Sequence, residues 1–166
     1  LDPHLARMIL QGRTENVLSE MLVITAFLSI QDPRERPMDK KEMADKAHAQ
    51  WKHERSDYIS ILQLWNTFVE LQEKGSQSKM RRFCRQYFLS YRRMQEWRNL
   101  YLDLASVAQE FKWMKGCRNI KEFEKFDYDA IHKAILAGIP SNIGVKVEKK
   151  QYRAARNREF YLFPGS

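Results

Sequence analysis

The chain has 166 residues, of which 43% are hydrophobic and 30% charged, with six Gly and five Pro; this is the composition of one globular, helix-rich domain. Twenty aromatic residues and a mean hydropathy of -0.63 argue against a disordered chain, and no apolar run reaches the ~18 residues of a membrane span, so a soluble protein is expected. The formal charge of +8 is segregated: residues 1–75 hold 10 Lys and Arg against 12 Asp and Glu, whereas residues 76–166 hold 19 against 9. A basic half of this kind suits a polyanion, and it equally serves an acidic protein partner or solubility.

Asp2 before Pro3 is an N-cap with proline at the first helical position, and Leu5, Met8 and Ile9 recur at helical spacing up to Gly12. Leu1-Asp2-Pro3 offers neither an initiator Met nor the regions of a signal peptide, so the chain reads as a piece of a longer protein. Thr14 is expected to cap a second helix running to about Ile30, apolar on nearly all sides and therefore central. Pro33 and Pro37 end it in a loop. Asp39 is expected to cap a polar amphipathic helix through about His53, and Ser56 opens another, with Tyr58, Ile61, Leu62, Trp65, Phe68 and Val69 in one stripe and Ile59, Leu64 and Leu71 in a second. Gly75 stops that helix, and Gly75-Ser76-Gln77-Ser78 reads as a hinge-like connection to the basic half. Residues 79 to about 113 read as helical, Gly116 as a break, and Asp127 as the cap of a further helix closed by Gly138. After Pro140 the pattern changes to that of a β-hairpin, with Val145, Val147, Tyr152 and Phe160-Tyr161-Leu162-Phe163 flanking Ala155-Arg156-Asn157-Arg158.

The strongest functional signal lies between Lys79 and Gln95, where Lys79, Arg81, Arg82, Arg85, Arg92 and Arg93 occur without one acidic residue. On a continuous helix Arg81, Arg85 and Arg92 fall within an arc of about 40°, opposite Met80, Phe83, Tyr87 and Met94. Arginine forks match phosphate oxygens, so such a row tracks a nucleic acid backbone without reading bases. Beyond Leu89, however, the apolar positions Trp97, Leu100, Leu104, Val107 and Phe111 shift by about 100°. A break near Ser90 explains the slip, with Ser90 as N-cap and Arg92 in the first turn of a second helix, where free backbone N–H groups also favour phosphate. The bland alternative is a solvated face with surface ion pairs.

Other chemistry is sparse. No G-x-x-x-x-G-K-[ST] or G-x-G-x-x-G occurs, so no phosphate-cradling loop is expected and no cofactor is assigned to this chain. His4, His48, His53 and His132 lack metal-ligand spacing and read as surface or boundary histidines. Cys84 and Cys117 form no C-x-x-C, which argues against a disulfide framework or zinc site and points to a reducing, cytosolic setting. Cys84 falls on the apolar side of its helix and reads as a buried thiol. The pairs Glu122/Glu124 and Asp127/Asp129 read as solvated. Trp51, Trp65, Trp97 and Trp113 read as core or boundary anchors, with base stacking the alternative.

Several segments carry a resemblance. They are Leu1-Asp2-Pro3-His4-Leu5-Ala6-Arg7-Met8, Leu28-Ser29-Ile30-Gln31-Asp32-Pro33-Arg34-Glu35-Arg36-Pro37, Ala44-Asp45-Lys46-Ala47-His48, Phe83-Cys84-Arg85 with Phe88-Leu89-Ser90-Tyr91-Arg92, Ala130-Ile131-His132 with Leu136-Ala137-Gly138, and Phe163-Pro164-Gly165-Ser166. In this order they resemble the C-terminal helicase-associated region of DEAH-box RNA helicases of the bacterial HrpA type. The resemblance implies a mainly α-helical, ratchet-like bundle over residues 1–142 and the start of a truncated OB-fold over 143–166. It further implies a parent enzyme whose RecA-like motor domains bind ATP and Mg2+, with single-stranded RNA and those motor domains as partners and a cytoplasmic location. The fragment itself would be monomeric, away from membranes and catalytically inert.

The family's F-x-x-x-R arginine falls on Arg92. Ser56-Asp57-Tyr58 departs from the Gly-Asp-His of many members, and Tyr87 and Ser90 stand where many have Asn. Together with the residue-level reading, the expected RNA-binding set is Arg81, Arg85, Arg92 and Arg93, joined by Lys149, Lys150, Arg156 and Arg158 near the hairpin. Two rivals stay open: a helical docking module whose basic face meets protein, and a duplex-reading helix-turn-helix protein.

Overall fold

The computed structural model describes residues 1–114 and 125–139. They form seven α-helices: α1 (Pro3–Thr14), α2 (Leu18–Leu28), α3 (Lys41–His48), α4 (Asp57–Lys74), α5 (Gln77–Gln86), α6 (Tyr91–Glu110) and α7 (Tyr128–Ala137), with a 3-10 turn at Ala49–Trp51 after α3. The expected mainly helical class holds for these residues. The β-hairpin after Pro140, the break at Gly116, Cys117, Glu122, Glu124, and the domain boundary at 142/143 lie outside them.

Helix α2 is the axis of the bundle. Ten of its eleven residues, Leu18 to Phe27, are buried, because α1, α4, α6 and α7 all pack on it. Two of the largest buried side chains, Trp65 of α4 and Trp97 of α6, meet there with ring centroids 4.7 Å apart. The Trp97 indole N–H donates to the Val23 carbonyl at 3.0 Å, so its polar edge is satisfied within the apolar centre. Trp51 is also buried and Trp113 half-buried, in keeping with their expected anchoring role.

Capping chemistry explains most helix starts. Asp2 accepts from the His4 N–H at 2.7 Å, Ser56 from Ile59 at 3.1 Å, Ser90 from Arg93 at 3.3 Å and Asp127 from Ala130 at 3.1 Å. Ser76 caps α5 through Lys79, so the expected hinge at residues 75–78 is a tight corner of Gly75 and Ser76 alone.

Two expected starts are corrected. Thr14 lies inside α1 and bonds back to the Leu10 carbonyl. The turn into α2 is made by Asn16 in the left-handed region (φ 62°), with the Val17 N–H closing on the Gly12 carbonyl at 2.8 Å. Asp39 caps nothing: α3 begins at Lys41 after Lys40 and ends at His48, where the chain tightens into the 3-10 turn.

Gly12 and Gly138 permit close crossings. A β-carbon on Gly12 would collide with the Met21 side chain of α2, and one on Gly138 with the His4 carbonyl and Met8 of α1. This lets α7 lie along α1, burying Ile131, Ala134 and Ile135. At the same junction His132 is buried, not a boundary residue as expected. Its Nδ1–H donates to the Tyr128 carbonyl at 2.7 Å, and its Nε2 accepts from the Ser56 hydroxyl at 3.1 Å. Burial pushes its pKa down to about 4, a fall that Asp129 only partly offsets.

Candidate nucleic-acid interface

Helix α5 sorts its side chains by chemistry. Met80 and Cys84, four residues apart, are buried with Phe83 half-buried beside them, whereas Lys79, Arg81, Arg82 and Arg85 are exposed. Burial, reinforced by the charge of Glu35, pushes the Cys84 thiol up to about 11, so this cysteine is a core residue without nucleophilic character at neutral pH.

The helix ends where the apolar phase slipped in the sequence. Phe88 adopts a left-handed conformation (φ 54°), the Leu89 N–H closes on the Cys84 carbonyl at 2.9 Å, and Ser90 caps α6. A left-handed phenylalanine costs about 1 kcal/mol or more and persists only where its surroundings fix it. Here they do. The Phe88 carbonyl accepts from the Glu35 N–H at 2.8 Å and from His48 Nε2 at 3.0 Å, and the Ser90 N–H donates to the Pro33 carbonyl at 2.8 Å. Arg34 and Leu89 form an antiparallel bridge between these hydrogen bonds. The proline-rich loop thus serves as a clamp on the α5–α6 corner.

The corner redistributes the expected arginines. Arg81, Arg82 and Arg85 stay on α5, while Arg92 is the second residue of α6 and Arg93 the third, so no single helix carries all of them. Across the corner the Arg81 guanidinium lies 4.7 Å from the centre of the Tyr91 ring, which brings α5's basic face to the start of α6. The Arg92 side chain is 80% exposed and reaches Glu96 only at 3.8 Å, too long for a hydrogen bond and open to solvent screening. Arg93 is half-buried and donates to the Asp32 carbonyl at 3.2 Å, so it also ties α6 to the clamp loop. Lys149, Lys150, Arg156 and Arg158 lie outside the described residues.

The clamp loop carries cations of another kind. Arg34 bonds both carboxylate oxygens of Asp32, at 3.0 and 2.8 Å, and Arg36 does the same to Asp45 at 2.8 Å. Burial works against the Arg34 cation, but its bonds to Asp32 outweigh this and raise its pKa. Arg36 in turn holds Asp45 below the usual carboxylate range. An open cleft of about 500 Å³ between this loop, α3 and the start of α4 is lined by these same pairs together with His48, Trp51 and Lys52. Its arginines are internally neutralised, whereas no described carboxylate pairs with Arg81, Arg82 or Arg85. The exposed cations without a described acidic partner are therefore gathered at the α5–α6 corner and not in the cleft. No cluster of three His, Cys, Asp or Glu suited to a metal occurs among the described residues, nor is any described helix long and apolar enough to cross a membrane.

The sequence reading missed His48, Pro33 and Glu35 as partners of this corner. His48 and Phe88 are 40 residues apart, and two of the three contacts use only backbone atoms, which leave no mark in residue type.

Comparison with known proteins places this architecture. Residues 2–61, which include the clamp loop and His48, match the family described as helicase associated domain (HA2), ratchet-like. The whole chain is similar to a region of the ATP-dependent RNA helicase HrpA of Escherichia coli (strain K12), with 40% identity over 167 residues. It is likewise similar to the HrpA homolog of Haemophilus influenzae, at 39%. In both cases all of this chain aligns but only 12% of the relative does. A DExH-box ATP-dependent RNA helicase of Arabidopsis thaliana, DExH1, is 28% identical over 159 residues, 93% of this chain and 15% of its own. With its helical bundle and its alignment from end to end, the chain belongs to the helicase-associated region of HrpA-type DEAH-box RNA helicases.

Proposed function

We propose that this chain is the RNA-supporting accessory region of a cytoplasmic, ATP-dependent DEAH-box RNA helicase. The α5–α6 corner grips the backbone of single-stranded RNA while motor domains elsewhere in the protein translocate it. The observation that carries the reading is the set of exposed guanidinium groups on α5 and at the first turn of α6, with Arg81, Arg82 and Arg85 free of described carboxylates and Arg92 held only loosely. Such groups contact phosphates without reading sequence, as an enzyme moving along RNA requires. In this reading Arg81, Arg85 and Arg92 are the principal contacts, Arg93 supports them from the clamp, and Lys149, Lys150, Arg156 and Arg158 are further proposed RNA contacts.

Among the described residues there is no loop that would cradle a nucleotide phosphate. Gly12 and Gly138 are packed against methionines and Gly75 sits at a helix corner, so no described glycine opens a loop around a phosphate. ATP and Mg2+ belong to the motor domains of the parent, and this chain contributes binding without chemistry.

The test is Arg92→Ala in the intact helicase, where RNA-stimulated ATP hydrolysis and unwinding are expected to fall several-fold with basal hydrolysis retained. Unchanged stimulation removes the assignment. A second reading, a docking module for protein, draws on Leu102, Val107 and Phe111, which are exposed along the later part of α6. Titration with homopolymeric RNA at two salt concentrations separates the two, since backbone binding weakens linearly in log salt and docking on an apolar face does not.

A further inference from the structure

We infer that His48 is a positioning residue for RNA: through the Phe88 carbonyl it fixes the left-handed turn that aims Arg92. The inference rests on the RNA reading above and extends it to a residue that is not itself on the basic surface. A carbonyl only accepts, so the 3.0 Å contact requires His48 to carry its proton on Nε2 and to donate. The same oxygen takes the Glu35 N–H at 2.8 Å, and these two donors hold a backbone conformation that phenylalanine does not favour alone. Phe88 is two residues before the cap of α6 and four before Arg92. Rotation of its carbonyl swings the entry of α6 and shifts Arg92 relative to Arg81, which contacts the Tyr91 ring at that entry.

His48 is well placed for this role. Its ring lies 6.2 Å from that of Trp51, which is buried and anchored by an indole N–H bond to Thr67 at 3.0 Å. The donor is thus braced from the α3 side and pointed at the corner from outside it. Arg81 and Arg85, four residues apart on α5, do not depend on this brace, but their register with Arg92 does.

The test measures binding of labelled oligouridylate by the full-length protein as a function of salt. Arg92→Ala is expected to lower affinity about tenfold and to reduce the slope of log affinity against log salt by roughly 0.7 to 1, one phosphate contact. His48→Phe keeps a ring beside Trp51 but removes the donor, and should reproduce that loss of slope. His48→Gln, whose amide also donates, should restore the wild-type slope. The double variant His48→Phe with Arg92→Ala should lose nothing beyond Arg92→Ala. General loosening of the fold lowers affinity without removing a phosphate from the slope. If Arg92→Ala leaves the slope unchanged, the RNA reading fails and takes this inference with it. If Arg92→Ala lowers the slope but His48→Phe does not, or if the double variant loses a further contact, the positioning role alone is overturned. Should His48→Phe fail to fold, His48→Gln decides: a slope reduced as far as that of Arg92→Ala overturns the role.

Discussion

The centre of the bundle and the α5–α6 corner hold their shape by different physics. Around α2, Trp65, Trp97, Phe68, Leu62 and Ile131 are almost wholly buried, and their attraction is non-directional and shared among many neighbours. At the corner, a few directional hydrogen bonds, donated by Glu35 and His48 and accepted by the Pro33 and Asp32 carbonyls, fix residues 88–93, and Arg92 beyond them faces solvent. The first arrangement supplies stability. The second supplies aim, because a hydrogen bond of modest net energy still sets an angle. Damage to the centre should therefore unfold the protein, and damage to the corner should alter binding at nearly constant stability.

The sharpest break is Trp97→Ala, which empties a fully buried site between α2, α4 and α6 and removes the indole bond to the Val23 carbonyl. A loss of about 4 kcal/mol is expected by urea denaturation. Next comes pH. His132 has a folded pKa of about 4 against about 6.5 unfolded, so it is neutral in both states above pH 6.5 and its contribution is complete there. As pH falls from 6.5 to 4 the unfolded chain takes the proton first, and stability drops by up to about 3 kcal/mol. Unfolding of wild type and His132→Asn at several pH values isolates this share, which the variant should lack.

At the corner, Ser90→Ala removes the α6 cap and should lower stability by only about 1 kcal/mol in thermal unfolding, while weakening RNA binding more than that loss alone explains. The smallest effect is expected from Arg36→Ala. Both side chains of its pair with Asp45 are more than half exposed, so the melting temperature should not move measurably and RNA affinity should stay at the wild-type value. A strong effect of Arg36→Ala on RNA would show that the polyanion surface extends into the clamp loop.

What the sequence disclosed follows from how local each cause is. The caps at Asp2, Ser56, Ser90 and Asp127 were legible because a side chain there serves an N–H two or three residues ahead. The all-round apolar character of α2 and the phase slip after Leu89 were legible as patterns. The helix ends at Gly75 and Gly138 were legible too, but three others were not. Asn16, Phe88 and Lys112 all take left-handed conformations without being glycine, so the usual C-terminal marker was missing. For Phe88 the stabilising partners come from 40 or more residues away. The arc of Arg81, Arg85 and Arg92 was drawn on a continuous helix, and the break offered beside it is the geometry present. Burial of His132 was also hidden, since its pairing with Ser56 joins α4 to α7 across 76 positions.

The seating of α7 along α1 bears on how the protein is made. During synthesis α1 leaves the ribosome well before α7, which packs along it, with Gly138 seated against Met8. Until α7 is made, the face of α1 that it covers stays open, apolar surface of the sort that chaperones recognise. Residues 2–61, though a recognisable family segment, lack the α6 and α7 that pack on α1 and α2, and expressed alone they are expected not to fold.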